Sequence, residues 1–161
     1  MTTNPDTLCP CGNCIDQIPL TYIRCCKPFH SGVGVPATPE ALMRSRYCAF
    51  VLKEYDYLIE THHPDYLDGL TAETLAQSSE PHWLSLDVLS TRSSAQAGEV
   101  CFQAWYREEM DIDAIHECSQ FELIEGRWFY TQGVQKAAIF PKRNAPCVCN
   151  SGKKFKQCCM N

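Results

Sequence analysis

Cys9, Cys11, Cys25 and Cys26 near one end of the chain, and Cys147, Cys149, Cys158 and Cys159 near the other, repeat one pattern. Each set opens with Cys-x-Cys and closes with Cys-Cys. An aromatic residue, Tyr22 or Phe155, stands three positions before the closing pair. Four thiolates are the ligand complement of a tetrahedral structural zinc site. Cys-x-Cys can present both sulfurs from one tight turn. Adjacent cysteines point to opposite sides of an ideal strand, so the closing pair requires a turn or helix start. Four thiolates around one Zn²⁺ sum to −2, and Lys153, Lys154 and Lys156 would offset that charge. The reading expects one Zn²⁺ per module and two per chain. Neither segment has enough apolar residues for its own core, so metal binding would supply folding energy on the order of 10 kcal/mol.

Other thiol chemistries compete with this reading. Disulfides are disfavoured without a secretory signal. Buried inert cysteines would not recur at matched spacing at both ends. Redox chemistry stays open, above all at Cys14, a fifth thiol that could compete with Cys11 as a ligand or be oxidised on its own.

The chain around these modules has 161 residues, of which 45% are apolar and 20% charged. That suits one domain with small appendages and excludes a wholly disordered chain. Residues 1–7 hold no basic cluster and no apolar stretch, so no secretory signal is read there. The longest apolar run, Tyr47 to Leu52, is far short of a membrane span. A cytoplasmic protein is expected. Charge is segregated. Residues 37–140 carry seven basic against seventeen acidic residues, whereas residues 141–161 carry five basic and none acidic. An acidic body argues against general DNA binding. The basic tail leaves a local contact with RNA, the ribosome or an acidic protein surface open.

The elements between the modules begin with a helix signal. Thr38 can cap, Pro39 suits the first helical position, and Glu40 favours the positive helix end. Met43, Tyr47, Phe50, Val51 and Leu58 recur near one face, and the pattern stops at His62-His63-Pro64. A second, shorter helix fits within residues 68–79. After Pro81 the period becomes two: Leu84, Leu86 and Val88, then Val100, Phe102, Ala104 and Tyr106. Residues 112–125 suit one long bent strand, and residues 127–132 a last short one. Helices first and an antiparallel meander afterwards define an α+β domain.

Within that domain Arg44, Arg46, His62, His63, His116 and Glu117 are the candidates for chemistry. His116 and Glu117 are neighbours in a strand and must face opposite sides of the sheet. If His116 shares the face of Ile112 and Ala114 it points inward, either as a satisfied core histidine or as a pocket acid–base. Arg44 and Arg46 are two apart on a helix and face different ways; a surface salt bridge is the simple expectation for one of them. His62 and His63 lack a third metal ligand. Trp83, Trp105 and Trp128 read as core aromatics first and pocket lining second. No catalytic triad, phosphate-cradling glycine loop or carboxylate dyad stands out, so no catalytic residue is assigned and a non-enzymatic role is expected.

The segment from Cys147 to Cys159, Cys-Val-Cys-Asn-Ser-Gly-Lys-Lys-Phe-Lys-Gln-Cys-Cys, resembles a SEC-C motif, the small zinc-binding motif found at the C-terminus of the preprotein translocase ATPase. The resemblance implies Cys147, Cys149, Cys158 and Cys159 as its ligands. Cys9-Pro-Cys-Gly and Tyr22-Ile-Arg-Cys-Cys look like a second copy with a longer spacer, which implies Cys9, Cys11, Cys25 and Cys26. The stretches 38–47, 116–121 and 126–130 resemble the YchJ family of bacterial proteins. That likeness implies a nuclear-transport-factor-2-like (NTF2-like) cone, with long helices on a curved antiparallel sheet. The division expected is therefore a zinc module over residues 1–36, the cone over 37–140, and a second zinc module over 141–161. The SEC-C resemblance further implies docking to an export chaperone or the ribosome, with Lys153, Lys154, Phe155 and Lys156 as the contact. The alternative is a small-molecule-binding or enzymatic cone, with His116, Arg44 and Arg46 at its pocket and the zinc modules as structural caps.

Overall fold

The computed structural model describes residues 4–161. The chain opens with a short hairpin, β1 (Cys14–Ile15) and β2 (Ile18–Pro19), whose turn holds Asp16 and Gln17 at positive φ. One helical turn follows, α1 (Lys27–His30). The main helix, α2 (Pro39–Leu52), starts where the sequence places it. Thr38 Oγ1 accepts the Ala41 N–H at 3.1 Å, and Glu40 pairs with Arg44 one turn on.

The helix expected to continue to His62 is two helices. Lys53 adopts the left-handed conformation at φ 63, and the N–H groups of Lys53 and Glu54 both turn back to the Ala49 carbonyl. The chain restarts as α3 (Tyr55–Glu60). Leu58 joins the core on the same side as Ala49, so the apolar periodicity runs across the break and hides it. Thr71 then caps α4 (Ala72–Gln77), a shorter helix than the 68–79 window that contains it.

Four antiparallel strands complete the fold in sequence order: β3 (His82–Ser93), β4 (Ala97–Glu108), β5 (Asp111–Ile124) and β6 (Arg127–Lys136). The last reaches four residues beyond the expected end. Register shifts at Trp83/Ser85, Val88/Ser90 and Ser119/Phe121 mark irregularities that bend and twist a sheet. Gly98 opposes the first turn of α2 closely enough that a Cβ there would fall 2.4 Å from Pro39 Cγ. Cys101 and Cys118 are direct cross-strand partners and form a disulfide.

The sheet is covered on both faces. Under α2 the core is Leu42, Met43, Val100, Phe121 and Trp128. On the opposite face Trp105 and Ala114 pack against Cys147, Val148 and Phe155 of the C-terminal module. Among the described residues no helix is long and apolar enough to cross a membrane.

Candidate functional site

The two cysteine sets each close into a cluster. The sulfurs of Cys9, Cys11, Cys25 and Cys26 all lie within 4.8 Å of one another, as do those of Cys147, Cys149, Cys158 and Cys159. Tetrahedral geometry with Zn–S bonds of about 2.3 Å sets sulfur–sulfur edges of about 3.8 Å. The observed edges include Cys11–Cys25 at 3.5 Å and Cys25–Cys26 at 3.8 Å, then Cys147–Cys149 at 3.6 Å and Cys149–Cys158 at 3.5 Å. Both tetrads could therefore hold a metal ion. Each closing pair converges because its first cysteine leaves regular backbone: Cys25 and Cys158 each end a 3₁₀ turn with both dihedrals negative and ψ near −100°.

Hydrogen bonds and burial shift the acidity of these thiols in opposite directions. Hydrogen bonds from Cys11, Cys25, Cys26 and Cys48 draw Cys9 well below the ordinary thiol range. Cys25 and Cys26, hydrogen-bonded to Cys11, are pushed far above it. At the other end burial pushes Cys159 up to about 12. Burial opposes ionisation of Cys149 too, yet hydrogen bonds from Ser151, Cys158 and Cys147 bring it down to about 6. Metal binding would displace the protons these clusters retain.

The N-terminal tetrad is bolted to α2. Arg44 donates from Nη1 to the Cys11 carbonyl at 2.8 Å while its Nε pairs with Glu40 at 3.1 Å. His30 bridges the Tyr22 hydroxyl and the Ser45 carbonyl, each at 2.8 Å. The fifth thiol beside this tetrad is Cys48 on α2, fully buried and 3.8 Å from Cys9 Sγ. Cys14, the fifth thiol the spacing pointed to, is exposed in the β1–β2 hairpin and outside the tetrad.

The C-terminal tetrad sits on the outer sheet face. Arg107 on β4 donates to Cys159 Sγ at 3.0 Å, and Ser85 donates to the Val148 carbonyl. Arg107 thus places a cation against a sulfur, a role the sequence assigned to lysines. Lys153 and Lys154 point to solvent and Lys156 is half-buried. Phe155 is buried against Trp105 and Ala114, so it anchors the module and is removed from the expected contact surface.

Between α2 and the inner sheet face lies a cavity of about 220 Å³. Met43, Tyr47, Phe50, Trp83, Phe102 and Phe121 supply apolar wall, and Arg46, Glu117, Ser119, Tyr130 and Gln135 supply polar groups. Arg46 is a lining residue. Arg44 and His116 are not. His116 does share a face with Ile112 and Ala114, but that face is the outer one, where its Nδ1 is 2.8 Å from the Ala137 carbonyl. Its neighbour Glu117 faces the cavity instead. Glu117 Oε1 accepts from Ser119 Oγ at 2.7 Å and from the Tyr130 hydroxyl at 3.0 Å, and Gln135 donates to Oε2. A Cβ on Gly133 would stand 2.0 Å from Glu117 Oε1, so only glycine leaves room for the carboxylate. Arg46 donates from Nη1 to the Leu58 carbonyl and Thr61 Oγ1, and its guanidinium stacks 4.7 Å from the Tyr130 ring centre. Burial pushes Arg46 down to about 10, which leaves it charged at neutral pH. Among the described residues His62 is buried with neither ring nitrogen hydrogen-bonded, His63 lies 3.4 Å from Glu122, and no third ligand joins the two in a metal site.

Two sulfur tetrads seated on a helix-and-sheet domain place this chain among α+β proteins that carry an NTF2-like domain with a SEC-C motif. The YchJ middle NTF2-like domain matches residues 38–133, the SEC-C motif matches residues 143–161, and the chain belongs to the YchJ family. UPF0225 proteins of Shewanella sp. strains ANA-3 and MR-4 are each 54% identical to it, over 96% of this chain and 97% of their own. The crystal structure of a SEC-C motif containing protein from Psychrobacter arcticus is similar at TM-score 0.70 and 30% identity, over 96% of both chains. The solution structure of RPA3114, a SEC-C motif containing protein from Rhodopseudomonas palustris, is similar at TM-score 0.71 and 36% identity, over 83% of this chain and 100% of that one.

Proposed function

We propose that this chain is a non-enzymatic, zinc-binding interaction protein, with one Zn²⁺ in each cysteine tetrad. Cys9, Cys11, Cys25 and Cys26 hold the first ion, and Cys147, Cys149, Cys158 and Cys159 the second. The observation that carries this reading is the preassembly of both tetrads at sulfur separations suited to tetrahedral zinc. The three units are a zinc module over residues 1–36, the cone over 37–140 and a zinc module over 141–161. We place the protein in the cytoplasm, where its eight ligand thiols stay reduced; the cross-strand Cys101–Cys118 disulfide lies outside both tetrads.

The C-terminal module is the contact element. Phe155 fixes it to the sheet, and Lys153, Lys154 and Lys156 then form a basic edge on an otherwise acidic molecule. Such an edge suits an acidic partner, and the SEC-C likeness points to an export chaperone or the ribosome. Contacts between exposed charges weaken with salt. The test is co-sedimentation with purified ribosomes, and pull-down with the purified chaperone, at low and high salt. Native mass spectrometry without added metal runs alongside. Two zinc ions per chain, and binding lost when all three lysines become Glu with both ions retained, is the expected result. Unchanged binding by that variant would remove the contact assignment; fewer than two ions would remove the metal assignment.

The cavity favours a second role for the cone. Its aromatic walls leave space unfilled, and buried polar groups converge on that space, which is the usual composition of a small-molecule site. In this role the cone binds a ligand while the zinc modules cap the fold.

A further inference from the structure

We infer that the cavity takes a small, uncharged, planar ring compound whose edge carries an N–H donor beside a C=O acceptor. This rests on the cavity being a binding site and adds the class of its ligand.

Size sets the first limit. A cavity of about 150 Å³ accepts benzene, and drug-sized ligands occupy roughly 300 Å³ or more. The 220 Å³ here fits one ring or two fused rings. Tyr47, Trp83, Phe102 and Phe121 on its walls favour a flat aromatic face, because offset and edge-to-face ring contacts add to simple burial.

Charge sets the second limit. Arg46 and Glu117 both reach the cavity, both are at least nine-tenths buried, and no ion pair joins them among the described residues. Tyr130 stands between, with its ring under the guanidinium and its hydroxyl on the carboxylate. An anionic guest would gain Arg46 and meet Glu117, and a cationic guest would do the reverse. Either would bring an uncompensated charge out of water. A neutral guest leaves the two buried charges balanced.

The remaining hydrogen-bond capacity sets the third limit. A carboxylate offers about four acceptor sites. Glu117 uses two on Oε1 and one on Oε2, so Oε2 can take one more N–H. Arg46 spends Nη1 on Leu58 and Thr61. Its Nε and Nη2 have no protein acceptor among the described residues, so they can donate to a carbonyl. Gly133 keeps the carboxylate in this position by withholding a side chain. A lactam-type edge, with N–H next to C=O, presents the donor and the acceptor that these two open positions call for.

Three probes of one size separate the contributions: 2-quinolone (N–H and C=O), quinoline (ring acceptor only) and naphthalene (no polar atom). Affinities are measured by ligand-observed NMR on the full zinc-loaded chain, with Glu117→Gln and with Ile115→Phe, a substitution at a lining residue that narrows the cavity. Melting curves establish that both variants fold. The expected order is 2-quinolone tightest, by about tenfold or more over naphthalene, as a charge-assisted hydrogen bond allows. Glu117→Gln should remove that preference and leave naphthalene unchanged. Ile115→Phe should remove all three. Equal binding of 2-quinolone and naphthalene, indifferent to Glu117→Gln but lost in Ile115→Phe, would overturn the ligand class and leave the cavity as a binding site. No binding by any probe, or binding that Ile115→Phe does not touch, would overturn the cavity reading itself.

Discussion

Cys48 Sγ lies 3.8 Å from Cys9 Sγ, the separation a tetrathiolate zinc site sets between its own sulfurs at about 3.8 Å. It is fully buried and carried by a helix that Arg44 and His30 hold against the cysteine loops. With zinc in the N-terminal tetrad, Cys48 is thus a reserve thiol, one small displacement from a ligand position. Cys9→Ser should therefore weaken zinc at this end without abolishing it, whereas Cys9→Ser combined with Cys48→Ala should leave one ion per chain in native mass spectra. Loss of the ion from Cys9→Ser alone would show that Cys48 cannot substitute. At this scale the sequence was legible where chemistry repeats at fixed spacing, as in the two tetrads, and illegible where the fold alone creates neighbours. Cys48 is 22 residues from Cys26, and Arg107 is 52 residues from Cys159; nothing local marks either. His116 points inward only if the face of Ile112 and Ala114 is the inner one; that face is the outer one, and Glu117 lines the cavity instead. Apolar residues occupy both faces of β5, with Ile112 and Ala114 on one and Ile115 and Phe121 on the other, so alternation alone could not choose.

The break between α2 and α3 is a cost concentrated at one residue. A β-carbon in the left-handed region costs roughly 1–2 kcal/mol, and Lys53 occupies that region at φ 63 with its N–H bonded to the Ala49 carbonyl. Glycine is the residue such a helix end favours. Lys53→Gly should raise stability by about 1 kcal/mol in urea unfolding, after allowing for the greater freedom of glycine in the unfolded chain. Lys53→Val should lower it, since a branched β-carbon worsens the same clash. A destabilised glycine variant would mean that the lysine stem contributes more to packing than its backbone costs. No Gly or Pro marks the break in the sequence, and the apolar stripe continues across it. Caps and strands were readable for the opposite reason. Thr38-Pro39 is a local signal that acts locally, and β3 and β4 alternate strongly enough to read as strands, although the bulges that bend the sheet have no mark in the sequence.

At the scale of the whole molecule the cysteine modules are parts of the core. Cys9, Cys11, Tyr22 and Cys26 share one buried cluster with Tyr47, Cys48 and Ala104, which come from α2 and β4. The C-terminal module is equally continuous with the outer sheet face through Trp105 and Ala114. The chain's charge segregation and spacing suggested appendages, because each module is recognisable alone; the docking depends on which sheet face is left uncovered, and that is decided only after the meander has formed. Metal binding to the tetrads would then stabilise more than the tails. Removing it should cost protection in α2, the element that bears Cys48, Arg44 and the Ser45 carbonyl facing the first tetrad. Hydrogen exchange on the zinc-loaded chain, before and after a strong chelator under reducing conditions, measures this directly. The α2 amides from residue 40 to residue 52 should exchange at least about tenfold faster after chelation, since local opening free energy falls when a contiguous packed unit loses a member. The α4 amides, Ala72–Gln77, share no buried cluster with either tetrad and should change little. If chelation deprotects residues 9–26 and leaves α2 as slow as before, the N-terminal module is an independent tail and the shared cluster does not couple them. If α2 and residues 9–26 open together, the zinc site is a fastener for the helix that forms one wall of the cavity, and metal loss would also empty that cavity of any ligand it holds.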